Sequence, residues 1–213
     1  MEMGRLFTSI YNLCQWICYF FYLNVMWVFC TLLGGIIFGI APSTTAVFAV
    51  ARKTALGEED VKVFRAFWEA YKKEFFRANI LGICLTAFGL LWYFNLNFFR
   101  SFEGSLYFSL NVLMTIIGVV FLLMLLYIFP VFVHFDLKLY QYVKFSIAFS
   151  FLFFGNVLVM LITCISTYYF LISFPGFIPI FGVSLLVQLN MWMACQSFKK
   201  VERKRIFFIR GLV

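Results

Sequence analysis

The chain has 213 residues, of which 64% are hydrophobic, 23% aromatic and 12% charged, and its mean hydropathy is +0.98. A soluble domain is about half apolar and about a quarter charged, so this composition excludes a water-soluble globule, a disordered chain and a nucleic-acid-binding domain, and indicates an integral membrane protein. The formal net charge of +8, from 17 Lys+Arg against 9 Asp+Glu, then bears first on orientation in the bilayer.

Four stretches carry no Asp, Glu, Lys or Arg: residues 6–51, 78–99, 104–133 and 145–198. Crossing the hydrocarbon layer of roughly 30 Å takes about 20 helical residues. The apolar residues run continuously instead of alternating with polar ones, which excludes a transmembrane β-barrel and leaves helices, whose backbone groups are all bonded within their own segment. The expected fold is therefore an all-α polytopic transmembrane bundle in one domain. No secretory signal peptide is apparent, because the first apolar stretch is too long and lacks a small-residue cleavage site.

In chain order, residues 7–33 form the first membrane helix. After Gly34-Gly35 a shorter or broken second segment covers 36–55, with Pro42-Ser43-Thr44 breaking or restarting it. Broken helices at membrane depth present partial charges and build ion and substrate sites in transporters, so Pro42, Ser43, Thr44 and Thr45 are a candidate ligand site. The alternative is a packing kink whose free amides are capped by Ser43 or Thr44. Gly35 and Gly39 are spaced for close backbone approach.

Residues 61–77 place Phe64, Trp68, Tyr71 and Phe75 at spacings of four, three and four, opposite Lys62, Arg65, Glu69, Lys72 and Lys73. This spacing predicts an amphipathic helix lying in the headgroup region, supported by a Glu69–Lys73 pair and preceded by the acidic run Glu58-Glu59-Asp60. Its basic residues Arg65, Lys72, Lys73 and Arg77 form a candidate docking surface for a membrane or cytoplasmic partner. Membrane helices follow at 78–99, 105–133, 145–172 and 177–198, the last two separated by Ser173-Phe174-Pro175-Gly176. Residues 199–213 form a basic tail suited to anionic lipid.

Basic residues fall in three clusters: seven from Arg52 to Arg77, then Lys138 and Lys144, then six from Lys199 to Arg210. Only Arg100 lies in the connection after 78–99, and the turn at 174–176 has none. By the positive-inside rule the three basic regions, the C-terminus included, are cytoplasmic. Six membrane segments put the N-terminus inside as well; five with an external N-terminus is the alternative.

Chemistry-bearing residues are sparse. The single histidine, His134, and Asp136 lie just past the helix at 105–133, where they form either a helix-end cap or a polar site at a pore mouth. One histidine without paired carboxylates gives no basis for a zinc or di-iron centre. The six cysteines lie in apolar runs without a C-x-x-C and read as small buried hydrophobes. Asn12, Asn24 and Asn111 are amides within spans, either bonding between helices or lining a polar conduit. No nucleophile–base pair can be assembled, so no enzyme activity, cofactor or metal is expected.

The order Gly39-Ile40-Ala41-Pro42-Ser43-Thr44-Thr45-Ala46, Arg52-Lys53, Gly57-Glu58-Glu59, Val63-Phe64-Arg65-Ala66-Phe67-Trp68, Tyr71-Lys72-Lys73-Glu74-Phe75, Phe129-Pro130, Phe135-Asp136 and Phe198-Lys199-Lys200 resembles the YesL-like family of small bacterial membrane proteins over nearly the whole chain. His134 stands where family members commonly carry a basic residue before Phe-Asp. The resemblance implies a multi-pass protein of the bacterial plasma membrane, in a family without an established activity that is often encoded near carbohydrate-uptake and carbohydrate-degradation genes. Two expectations follow: an accessory or regulatory component of carbohydrate uptake, or a small transporter or channel centred on Pro42 to Thr45.

Overall fold

The computed structural model describes residues 2–58, 61–102 and 104–210, and side chains within 9–202 of these. The described residues form seven α-helices: α1 (Glu2–Leu33), α2 (Ile37–Leu56), α3 (Val63–Arg100), α4 (Ser105–His134), α5 (Leu139–Leu152), α6 (Phe154–Ser173) and α7 (Ile178–Arg210), with a short 3-10 turn at Pro175–Phe177. The fold is an all-α membrane bundle, as the composition requires. Five stretches are long and apolar enough to cross a membrane: Ser9–Leu33, Val63–Arg100, Ser105–His134, Phe154–Ser173 and Pro175–Glu202. Large apolar side chains such as Leu13, Phe29, Leu91, Phe108 and Ile162 cover the outside, the arrangement expected of a surface whose solvent is lipid.

The second of the six expected segments, α2, is not among these five stretches and forms a central strut. It doubles back along α1, with the Trp27 indole donating to Thr44 Oγ1 at 3.1 Å and Tyr19 and Thr54 hydroxyls 3.1 Å apart. It packs on α1, α3, α4 and α7. Half of its residues are buried, many of them small: Gly39, Ala41, Ser43, Ala46 and Ala51. Small side chains let four helices approach one axis closely.

The break before α2 lies at Gly34–Ile36, not at Pro42. Gly35 and Ile36 have φ of 70° and 62°, a conformation glycine adopts without strain and isoleucine does not. The expected break at Pro42-Ser43-Thr44 is therefore corrected: Pro42 is the sixth residue of an unbroken helix. Its fixed φ suits a helix, and its missing N–H removes the bond to the Phe38 carbonyl four residues back. The close glycine pair is also different from that expected. Gly39 lies against the Thr31 backbone and Gly34 against Gly39, whereas Gly35 faces open space.

Three further boundaries move. Residues 61–77 and 78–99 are one 38-residue helix, α3, of about 57 Å at 1.5 Å per residue, because no glycine or proline interrupts the passage from polar to apolar sequence at Arg77-Ala78. In the first half of α3 the buried face only partly follows the expected stripe: Tyr71 is buried in the core together with Phe67, whereas Phe64 is exposed. The Tyr71 hydroxyl donates to the Cys30 carbonyl at 3.1 Å. Residues 145–172 are divided between α5 and α6 at Phe153, whose φ of −118° and ψ of 47° end one helix and start the next. This bend lets α5 follow α4 while α6 packs on α7. Finally, α7 continues through 199–210, so the basic residues there extend a membrane helix.

Side-chain amides and indoles fasten the helices. Asn24 Nδ2 donates to the Ile178 and Pro179 carbonyls at 3.4 and 3.3 Å, and its Oδ1 accepts from the Val183 and Ser184 amides at 3.1 Å each. Gly182 leaves room for this amide. Trp92 Nε1 donates to the Met114 carbonyl at 2.7 Å, with its ring over Gly118, where a Cβ would collide with the indole. Buried Ser197 receives hydrogen bonding from Asn156 Nδ2 at 2.7 Å and lies 2.9 Å from the Tyr127 hydroxyl.

Candidate functional site

The expected site residues separate into three environments. Pro42, Ser43 and Thr45 are buried within α2. Thr45 Oγ1 donates to the Ala41 carbonyl at 2.9 Å, and Thr44 accepts from Trp27. The Ser43 hydroxyl is fully buried without a partner among the described residues. No broken helix end exists here, so the partial charges that a discontinuous helix would offer a ligand are absent from this stretch.

Arg65 and Lys72 lie outward. Arg65 Nε pairs with Glu69 at 2.7 Å on the exposed face of α3, in place of the expected Glu69–Lys73 pair, while Lys73 is 3.7 Å from Glu74. Lys72 Nζ sits 4.7 Å from the centre of the Trp68 ring, a cation–π contact.

Lys73, Arg77, His134 and Asp136 come together, with Thr45 at the same place. They line an open cleft of about 250 Å³ between α2, α3 and the end of α4, along with Arg52, Glu74 and Tyr142. Arg77 Nη1 donates to Asp136 Oδ1 at 3.1 Å, so Asp136 pairs across helices and does not cap α4. His134 is largely covered, its ring 4.5 Å from that of Phe198 and its Nε2 3.7 Å from Glu202 on α7. Tyr142 fixes the α4–α5 connection: its hydroxyl accepts from the Leu137 amide at 3.1 Å and donates to the Phe135 carbonyl at 3.3 Å.

Arg52 is the residue that sequence reasoning passed over. It is the first charge after the first apolar run, and its Nη1 donates to the Val133 carbonyl at 3.0 Å. Its Nε is buried without a partner among the described residues, as is His134 Nδ1. A half-buried guanidinium whose nearest acceptor is a carbonyl is suited to receiving an anion. Its position as the first cation past an apolar run was the available signal; that it turns back onto α4 is tertiary information.

The amides do not form a conduit. Asn24 is consumed in fastening α7, Asn12 is exposed on the outside of α1, and Asn111 is half-buried on α4. The acidic residues 59–60 and the side chains of Arg203, Lys204 and Arg205 lie outside the described residues.

Comparisons with known proteins place this arrangement. The chain is 40% identical to the uncharacterized protein YteU of Bacillus subtilis strain 168 over 203 residues, covering 95% of this chain and 91% of that one. The chain belongs to the YesL-like family. It is also 34% identical to the uncharacterized protein YesV, over 91% of this chain and 93% of that one, and 28% identical to the uncharacterized protein YesL, over 93% of both, from the same organism. Residues 20–96 match the family described as "Protein of unknown function, DUF624". That segment holds the C-terminal part of α1, all of α2 and most of α3, including Arg52, Lys73 and Arg77 of the cleft. No solved structure matches the chain.

Proposed function

We propose that this protein is a non-enzymatic component of the bacterial plasma membrane that assists or regulates carbohydrate uptake, with both termini and the charged cleft on the cytoplasmic side. The observation that carries the reading is the unbroken, packed α2: the hydroxyl-rich stretch at 42–45 serves helix packing, while ionisable groups gather at one end of the bundle. A fixed internal strut with an exposed basic helix beside it suits docking better than a moving substrate path. The carbohydrate context rests on the family resemblance.

The docking face is the exposed side of α3 bearing Arg65 and Lys72, neither of which lines the cleft. Crosslinking in intact cells, followed by affinity recovery and identification of carbohydrate-permease subunits, tests it. The double variant Arg65→Ala/Lys72→Ala should lose most of the recovered permease without loss of its own membrane level. Unchanged recovery refutes the docking face. The rival reading, a small transporter, is favoured instead if purified protein in liposomes moves mono- or oligosaccharides, or ions, above empty vesicles.

A further inference from the structure

The charged cleft has a neighbour on the same helices. A second depression, of about 730 Å³, lies between the same three helices and is lined by Ile37, Ile40 and Ala41 of α2, residues from Asn79 to Leu90 of α3, and Phe121, Leu125 and Phe129 of α4. The cleft takes up each helix where the depression leaves off: Thr45, Ala49 and Arg52 on α2, Arg77 to Ala70 on α3, and Phe132 to Asp136 at the end of α4. The stacked rings of Phe48 and Phe129, 5.6 Å apart and within 3° of parallel, mark the changeover. Lying end to end along the same three helices, the two depressions outline a groove with an apolar stretch and a basic one.

We propose that this groove holds an anionic phospholipid, with an acyl chain along the apolar stretch and the phosphodiester against Arg52. Three features specify this ligand. From Asn79 to Leu90 the apolar stretch runs about 17 Å along α3 at 1.5 Å per residue, close to the roughly 15 Å depth of one leaflet. Within the cleft, Lys73 is beside Glu74 and Arg77 is paired with Asp136, which leaves Arg52 as the cation without a carboxylate among the described residues. With no ion pair of its own among the described residues, the Arg52 guanidinium suits the single negative charge of a phosphodiester. The unpartnered Nε of Arg52 supplies a donor, with Lys73 and Arg77 at the rim for the rest of the headgroup. A free inorganic anion would use the cleft and leave the apolar stretch without a role.

The test uses the full chain purified in mild detergent, with thermal unfolding followed after adding phosphatidylglycerol, phosphatidylcholine or inorganic phosphate, and with retained lipid measured by mass spectrometry. The wild type should retain phosphatidylglycerol over phosphatidylcholine and should be stabilised by the former alone. Arg52→Gln should reduce retention by at least about fivefold, the effect of one basic residue near an anionic surface. Because Arg52 also holds the Val133 carbonyl, a second variant guards against misfolding: Ala87→Phe, at an exposed position lining the apolar stretch, should reduce retention with every charge in place. Stabilisation by inorganic phosphate equal to that by phosphatidylglycerol, or retention unaffected by Ala87→Phe, overturns the lipid assignment. The Arg65→Ala/Lys72→Ala variant should retain lipid normally, which separates failure of this proposal from failure of the docking face.

Discussion

Replacing Asn24 by Leu removes an amide that ties α1 to the start of α7 while keeping the side-chain volume nearly constant. Four hydrogen bonds are lost, two donated to the Ile178 and Pro179 carbonyls and two accepted from the Val183 and Ser184 amides. Hydrogen bonds between membrane helices average about 0.6 kcal/mol each, so the loss should be about 2 kcal/mol, equivalent to roughly a 30-fold shift in the folding equilibrium. Water cannot replace the amide, because Asn24 is only 5% exposed and lies among apolar side chains. Reversible unfolding in mixed micelles would measure the difference. Gly182→Ala places a methyl about 3.4 Å from the same amide and should destabilise the protein less. The double variant should lose less than the sum of the two, since both act on one contact. An Asn24→Leu protein within about 0.5 kcal/mol of wild type would refute the view that this amide fastens α7.

Two other substitutions probe separate parts of the bundle. Gly118→Ala drives a methyl into the Trp92 indole and should destabilise the α3–α4 pair by about 1–3 kcal/mol, visible as a lower melting temperature with a changed tryptophan emission. Ser43→Ala removes a buried hydroxyl that has no partner among the described residues, and should leave stability unchanged or raise it by about 1 kcal/mol in the same unfolding assay.

The membrane architecture is legible because hydrocarbon admits few solutions: charge-free runs of sufficient length become helices. Helix ends are less legible. At Arg77-Ala78 and at Phe198-Lys199 the sequence changes solvent, not conformation, and residues that form helix well carry α3 and α7 through the boundary. Conversely, Leu152-Phe153-Phe154 reads as uninterrupted helix but bends, because α5 and α6 follow different neighbours. Pro42 misleads in the opposite direction: past the first turn a proline ordinarily kinks or ends a helix, yet packing on four neighbouring helices carries α2 through it.

The site was legible by residue and not by assembly. His134, Asp136, Lys73, Arg77 and Thr45 each stand out in the sequence, but their meeting depends on α2, α3 and α4 crossing near one point. Arg52, at the centre of that meeting, looks like an ordinary membrane-boundary arginine. The Tyr127, Asn156 and Ser197 cluster was likewise hidden, because a tyrosine and a serine in apolar helices carry no spacing signal.

In the proposed orientation the charged end of the bundle faces the cytoplasm, and cysteine labelling in intact cells measures that directly. In a background with the native cysteines replaced, Phe102→Cys, at the turn after α3, should react with a membrane-impermeant maleimide from outside, whereas Arg65→Cys and Asp136→Cys should react only after permeabilisation. Labelling of Arg65→Cys or Asp136→Cys in intact cells would contradict the orientation, and with it both the cytoplasmic docking face and the inner-leaflet lipid site.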